Sequence, residues 1–326
     1  MFAREAGIQI EEVAASIFSG GITNAGAIST TAVGNGNGIV IESVAALGTG
    51  TFIGNIVNSG TISAAAAGID IISVGGALFS GGISNRGAIT AQQTGIVVRN
   101  VGLSGFSGGL INSATVTARR DGIFFDYFAG GSSSIVVSTG FAGGGITNTA
   151  KIVAGSTGIF FGATANGTMA SVTISSFAGG ISNSGTISAG GDGIRLGGFA
   201  SDSLASVIIS NFGGGITNSG VISARGGGIV VGGTGSSGGS FTISSFSGNI
   251  ANTSAIIAAT GIHIQNSTTI TGAIVDTGTI QASRHGIVVD SASDILASKT
   301  AIKITGPTFT GGITNFGVIS GSAGIF

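Results

Sequence analysis

Residues 177–196 read FAGGISNSGTISAGGDGIRL, and the outline of this stretch returns about ten times between Phe18 and Phe326. Within it Phe177, Gly179, Ile181, Asn183, Gly185, Ile187 and Ala189 share one parity, and Ala178, Gly180, Ser182, Ser184, Thr186 and Ser188 take the other. Alternation with period two is the signature of a strand that buries one face. One such unit cannot bury that face alone and must stack on its neighbours, so the repeat predicts a solenoid.

Working outward, the first full copy runs from Phe18 through Ile22, Asn24, Gly26 and Ile28 and closes at Gly38-Ile39-Val40-Ile41; the next runs from Phe52 through Asn58 and Ile62 to Gly68-Ile69-Asp70-Ile71. Each copy offers three short strands, with corners at Asn-x-Gly and at the Gly that precedes Ile. The Gly after Asn is preferred rather than required, because Ala114 and Ser254 stand in its place. In the ninth copy Ile270 replaces Phe and Asp276 replaces Asn, and the tenth is read around Phe309 and Asn315. The copies are unevenly spaced although the motif is constant, so insertions are confined to one place. Segments such as 162–170 (GATANGTMA) and 197–205 (GGFASDSLA) are expected to form loops or strand extensions on one edge. Gly, Ser and Thr fill the chain and are weak in helix interiors, which disfavours a helical solenoid. The predicted fold is all-β: one β-solenoid domain spanning residues 1–326, a single-stranded parallel β-helix of about ten coils, with no legible cap at either end.

In such a coil like residues stack on like. The aromatic column is predicted to comprise Phe18, Phe52, Phe79, Phe106, Phe141, Phe177, Phe212, Phe246 and Phe309. A second column, Asn24, Asn58, Asn85, Asn112, Asn148, Asn183, Asn218, Asn252 and Asn315, is predicted to form an inward amide ladder, because a buried polar group without partners costs about 1–3 kcal/mol. The alternative is that Asn simply tolerates a turn conformation at this corner.

Composition excludes several classes of function. Of 326 residues only 7% are charged and the net charge is −1, too little for the cationic stripe that nucleic acid requires. There is no Cys, hence no disulfide framework and no thiolate metal site. Gly, Ser, Thr or Asn interrupts every apolar run, so no membrane-spanning helix is expected. The opening MFAREAGIQIEEVAASIF carries Glu5, Glu11 and Glu12 where a secretion signal needs a basic start and a clean apolar core.

Residues able to do chemistry are few. The best cluster is Arg119-Arg120-Asp121 with Asp126 and Tyr127, for which a solvated corner ion pair is the simpler reading. Outward positions of the Gly-Ile strand read Val40, Asp70, Val97, Phe124, Phe160, Arg195, Val230, His263 and Val288, so each charge is expected to sit among apolar neighbours. His263 and His285 fall at different phases of their units, which argues against a shared metal. Gly190-Gly191-Asp192-Gly193 is similar to a fragment of a calcium-binding repeat, but the tandem copies are missing and a corner is expected. No catalytic, metal or cofactor site is predicted, and the chain is not expected to be an enzyme.

The repeat Gly-Gly-Ile-(Thr/Ser)-Asn-x-Gly-x-Ile-(Ser/Thr)-Ala followed by Gly-Ile, as in GGISNSGTISA at 179–189, resembles the passenger region of type V autotransporters and related large bacterial surface proteins. The resemblance covers nearly the whole chain. It implies a right-handed parallel β-helix exported and displayed on the bacterial cell surface. It further implies a structural or adhesive role toward a host-surface, cell-surface or matrix glycan or protein. Open strand edges raise a second expectation, end-to-end self-association into an extracellular filament. A polysaccharide lyase or hydrolase is the remote third.

Overall fold

A computed structural model describes residues 6–13, 17–32, 36–45, 50–140 and 143–326, together with the backbone of residues 2–3. Its regular structure is entirely β, and every paired strand runs parallel to its partner in the turn above or below. The chain is a parallel β-solenoid.

Each turn contributes to four columns of strands, one more than the sequence predicts. The asparagine column starts at Ile22–Asn24 and is an 11-stranded sheet. The chain then turns through Gly26 into the isoleucine column, beginning with Ala27–Thr30, and passes through a second corner into the Gly-Ile column, exemplified by Asn37–Glu42. The fourth column carries the aromatic residues within its strands in the early turns, as Ile17–Ser19 and Thr51–Ile53; in later turns its strands, such as Ser171–Ile174 and Ser206–Ile209, form a separate seven-stranded sheet, and Phe177 and Phe212 follow them as isolated bridges. The inserted segments supply these later strands. Ile159–Asn166 and Ile194–Ser201 are long extensions of the Gly-Ile column, paired in register over their full length, and the chain turns back from them into the fourth column.

The register explains the repeat. Ile22, Ile56 and Ile83 are successive partners, as are Ile28, Ile62 and Ile89, and Ile39, Ile69 and Ile96, so each column carries at least one buried apolar side chain per turn. Stacking like side chains at the ~4.8 Å strand spacing fills the interior of the tube. Glycine is demanded where two columns meet. A Cβ on Gly68 would run into the Cγ2 of Ile89, and a Cβ on Gly87 would overlap the carbonyl oxygen of Gly60 in the turn below.

Phe18, Phe52, Phe79 and Phe106 stack with centroids 4.7–5.0 Å apart, and Phe177, Phe212 and Phe246 form a second stack at 4.8 and 4.9 Å. Phe141 lies outside the described residues; the position facing Phe177 in the turn below is taken by Gly140. Phe125 and Phe161 bridge the two stacks from the Gly-Ile column: Phe125 meets Phe106 edge-on, and Phe161 lies 4.1 Å from Phe177. Above Phe246 the column continues as Ile270, Ile295 and Ile319.

The last turn corrects the sequence reading. Phe309 pairs with Ile280 in the isoleucine column, and Asn315 pairs with Val289 in the Gly-Ile column, so neither belongs to the stack or ladder assigned to it. The asparagine position above Asp276 is occupied by Ile304, and Ile302 and Ile325 continue the apolar line beside it. The physical reason is hydrogen-bond register. The true corner is Ile304-Thr305-Gly306, with Thr305 N donating to the carbonyl of Asp276, and this displaces everything after it by two columns.

Candidate functional site

Three features of this tube carry polar chemistry: the buried amide ladder, a groove on the Gly-Ile flank, and a few isolated charged corners. In the ladder Asn24 donates through Nδ2 to Asn58 Oδ1 at 2.7 Å, and the same bond repeats through Asn85, Asn112, Asn148, Asn183, Asn218 and Asn252 at 2.7–2.8 Å. Asn252 donates to Asp276 Oδ1 at 2.7 Å. From Asn58 to Asn252 the amides are fully buried, and none of these residues has a positive φ, so the site does not exploit the turn tolerance of Asn. All bonds point the same way, leaving the donor end of the aligned amide dipoles at Asp276, where a carboxyl group accepts both from Asn252 and from Gly278 N. Its Oδ2 is buried without a hydrogen-bond partner beneath Ile304, and burial raises its pKa above the usual carboxylate value. The ladder is a structural device and presents no group to a substrate.

The groove encloses about 470 Å³ along the outside of the Gly-Ile column. Its floor is one column of the register, Asp70, Val97 and Phe124 on successive turns. Glu42 and Arg99 flank the floor on one side, and Asn37, Gln93, Arg120 and Asp121, from the corner between the isoleucine and Gly-Ile columns, close the other. Asn37 donates to Asp70 Oδ2 at 3.1 Å and accepts from Ala67 N at 2.8 Å, and Asp121 accepts from Thr157 N at 2.9 Å, so the corner side chains are pinned to the turns above them.

Arg99 is the electrostatic centre. Its Nε lies 3.8 Å from Asp126 Oδ2, and its guanidinium carbon is 5.6 Å from the centroids of both Phe124 and Phe128. Burial pushes the Asp70 carboxyl up to about 6, opposed by Arg99 and reinforced by Glu42. Burial does the same to Asp126, also to about 6, opposed by Arg99 and by a 3.2 Å hydrogen bond from Thr164 Oγ1. One arginine thus serves two carboxylates on either side of it. Asp70 Oδ1 and Arg99 Nε are buried yet lack hydrogen-bond partners, an unmatched acceptor and an unmatched donor in the same groove.

The predicted cluster is therefore only partly assembled. Arg120 and Asp121 line the groove, while Asp126 lies 1% exposed behind Arg99. Tyr127 is core: it is fully buried, its hydroxyl is 3.5 Å from the carbonyl of Val101, and burial raises its pKa. The expectation that apolar neighbours isolate each outward charge fails at Asp70, which lies within the field of Arg99 and Glu42. Sequence reasoning passed over Glu42 and Arg99 as site residues because it followed only the middle of the Gly-Ile strand. Aligning the residue two places further on puts Glu42, Arg99 and Asp126 at one position of their repeats, and that alignment exposes the cluster.

Elsewhere the polar groups are local. Asp192 accepts from Gly227 N at 2.7 Å and pairs with Arg195 at 2.8 Å, tying one corner to the next. His263 pairs in register with Val230 and Val288, whereas His285 faces Thr260, so the two belong to different lines. Burial lowers the pKa of His263, against the pull of Asp290. No group of three His, Asp or Glu side chains able to hold a metal ion occurs among the described residues. Compared with known proteins, the chain matches no family model, no curated protein and no solved structure.

Proposed function

We propose that this chain is a non-enzymatic structural or adhesive rod displayed outside a bacterial cell. The observation that carries the reading is how residues are divided between inside and outside. Those that recur from turn to turn, the Ile, Phe and Asn columns, are buried in the stack over most of its length, while many of those that vary project from it. Tight turns at the ends of the extended strands hold Met169 and Leu204 at positive φ, 62% and 72% exposed. A fold that places its constant residues in a stiff axis and its variable ones on the flank suits display of a surface more than turnover of a substrate. The likeness of the repeat to autotransporter passengers supports the extracellular setting.

The test is adhesion. The purified chain, immobilised on beads, is expected to retain a bacterial or host cell surface or an extracellular matrix preparation, and soluble chain is expected to compete. Lack of retention on all such surfaces, or catalytic release of oligosaccharide from a polysaccharide panel, would overturn the reading. Polysaccharide cleavage is the enzymatic alternative, and it would draw on Arg120 and Asp121 in the groove.

A further inference from the structure

We infer that the flank groove over Asp70, Val97 and Phe124 binds a neutral, hydroxyl-rich oligosaccharide lying along the rod axis. This rests on the adhesive reading above and gives it a ligand class and a place.

The fold excludes one competing mode of recognition. Along the flank each strand is hydrogen-bonded to the turns on both sides, so a peptide finds no open edge to which it could add a strand. A ligand on this face is read by side chains alone. Those side chains come at the strand spacing: Glu42, Asp70, Arg99 and Arg120 belong to four successive turns, giving a groove on the order of 14 Å long at ~4.8 Å per turn. A pyranose unit advances an extended glycan chain by nearly the same distance as one turn of this solenoid, so successive sugars can meet successive turns.

The chemistry along the line is mixed. Glu42 and Asp70 offer acceptors, Arg99 and Arg120 offer donors, and the amide of Gln93 offers both. Hydroxyl groups likewise both donate and accept, and a run of them can meet this alternation where a purely cationic or purely anionic chain cannot. An anionic chain would be repelled by Glu42, Asp70 and Asp121, and the guanidinium groups of Arg99 and Arg120 disfavour a cationic one. The unmatched acceptor Asp70 Oδ1 in the floor and the unmatched donor Arg99 Nε on the flank belong to neighbouring turns of the groove, and a ligand that lets both side chains reorient toward hydroxyls relieves both. Val97 and Phe124 give the apolar ground against which the C–H face of a sugar packs.

The experiment is calorimetric titration of the intact chain with linear cello-, malto-, chito- and manno-oligosaccharides of two to six units, with saturation-transfer NMR to identify the contacting protons. At least one series is expected to bind saturably, with affinity rising up to about four units, one per turn of the groove, and levelling off beyond. Arg120→Ala and Gln93→Ala alter exposed or half-exposed side chains outside the core, and together they are expected to weaken binding at least tenfold. Arg225→Ala, on a distant corner, is expected to leave binding unchanged, and far-UV circular dichroism shows that each variant is folded. Absence of saturable binding in all four series, or binding indifferent to the double variant, overturns the inference. So does tighter, salt-sensitive binding of oligogalacturonate. Cell-surface retention without oligosaccharide binding would refute the groove and leave the adhesive rod standing, while oligosaccharide binding without retention would do the reverse.

Discussion

Replacing Asn183 tests whether the amide ladder holds adjacent turns together. Its Oδ1 accepts from Asn148 Nδ2 at 2.8 Å, and its Nδ2 donates to Asn218 Oδ1 at 2.8 Å and to Gly185 O at 3.3 Å. In Asn183→Ala the amide of Asn148 keeps its 2.8 Å bond to Ala150 O, but Asn218 Oδ1 loses its donor in a fully buried place. A lost internal hydrogen bond is worth about 1 kcal/mol and an orphaned buried acceptor about 1–3 kcal/mol, so a loss of about 3 kcal/mol is expected. Asn183→Asp is the sharper variant. It keeps the acceptor for Asn148 but sets a carboxylate oxygen against Asn218 Oδ1, and only the protonated acid can donate across that gap. Its folded pKa is therefore raised above the unfolded value. Protonation then favours the fold, which is most stable relative to wild type below the ordinary carboxylate pKa and loses that stability as pH rises through the raised one. Urea unfolding followed by far-UV circular dichroism at pH 4 and pH 7 reads both effects as differences from wild type. An Asn183→Ala loss below about 0.5 kcal/mol, joined to an Asn183→Asp deficit that is the same at both pH values, would refute the ladder as a source of stability.

Further predictions concern other positions. Arg99→Met removes the charge that holds down both Asp70 and Asp126, so carbon-detected NMR titration is expected to move both carboxyl midpoints upward from about 6; movement of neither would deny Arg99 its central place. Asp276 is buried with a raised pKa, so its ionisation opposes folding: its contribution is greatest below the unfolded carboxylate value and is lost as pH rises through the folded one. Asp276→Asn removes this slope, and its amide can reach the Gly278 carbonyl as Asn252 reaches that of Ser254; chemical denaturation is expected to show higher stability than wild type at pH 7 and convergence toward pH 4. Gly87→Ala drives a Cβ into the Gly60 carbonyl, while a Cβ on Gly26 meets nothing within 4 Å, so the first variant is expected to lose several degrees of melting temperature and the second to melt like wild type.

The fold was legible because each column requires nearly the same residue in each turn. Ile181, Asn183, Ile187 and Ile194 bury one side chain apiece at fixed phase, and each has a chemically similar partner above and below. What escaped the sequence reading was whatever breaks that rule. The alternation of Val172 and Ile174 is legible as strand, but it lies beyond an insertion of variable length and reads as an extension at one edge rather than as a fourth column. Phe309 and Asn315 imitate the motif at the wrong phase, and only the hydrogen bond from Thr305 to Asp276 fixes the turn. The groove was hidden for a different reason. Asp70, Arg99 and Asp126 are far apart along the chain and occupy two different phases of the repeat, so their meeting depends on the register between turns and not on any local motif.

The stacking of turns is tested most directly by a distance ruler along one flank. Thr23, Val57, Ser84, Ile111, Thr147, Ser182, Thr217, Ala251 and Val275 are successive register partners on the asparagine column, and the chain has no Cys to interfere with labelling. Spin labels at Thr23 paired with Thr147, Thr217 or Val275 span four, six and eight steps, and pulsed electron resonance is predicted to give distances near 19, 29 and 38 Å, growing by ~4.8 Å per turn. Distances that do not increase by about this step per turn would contradict the solenoid.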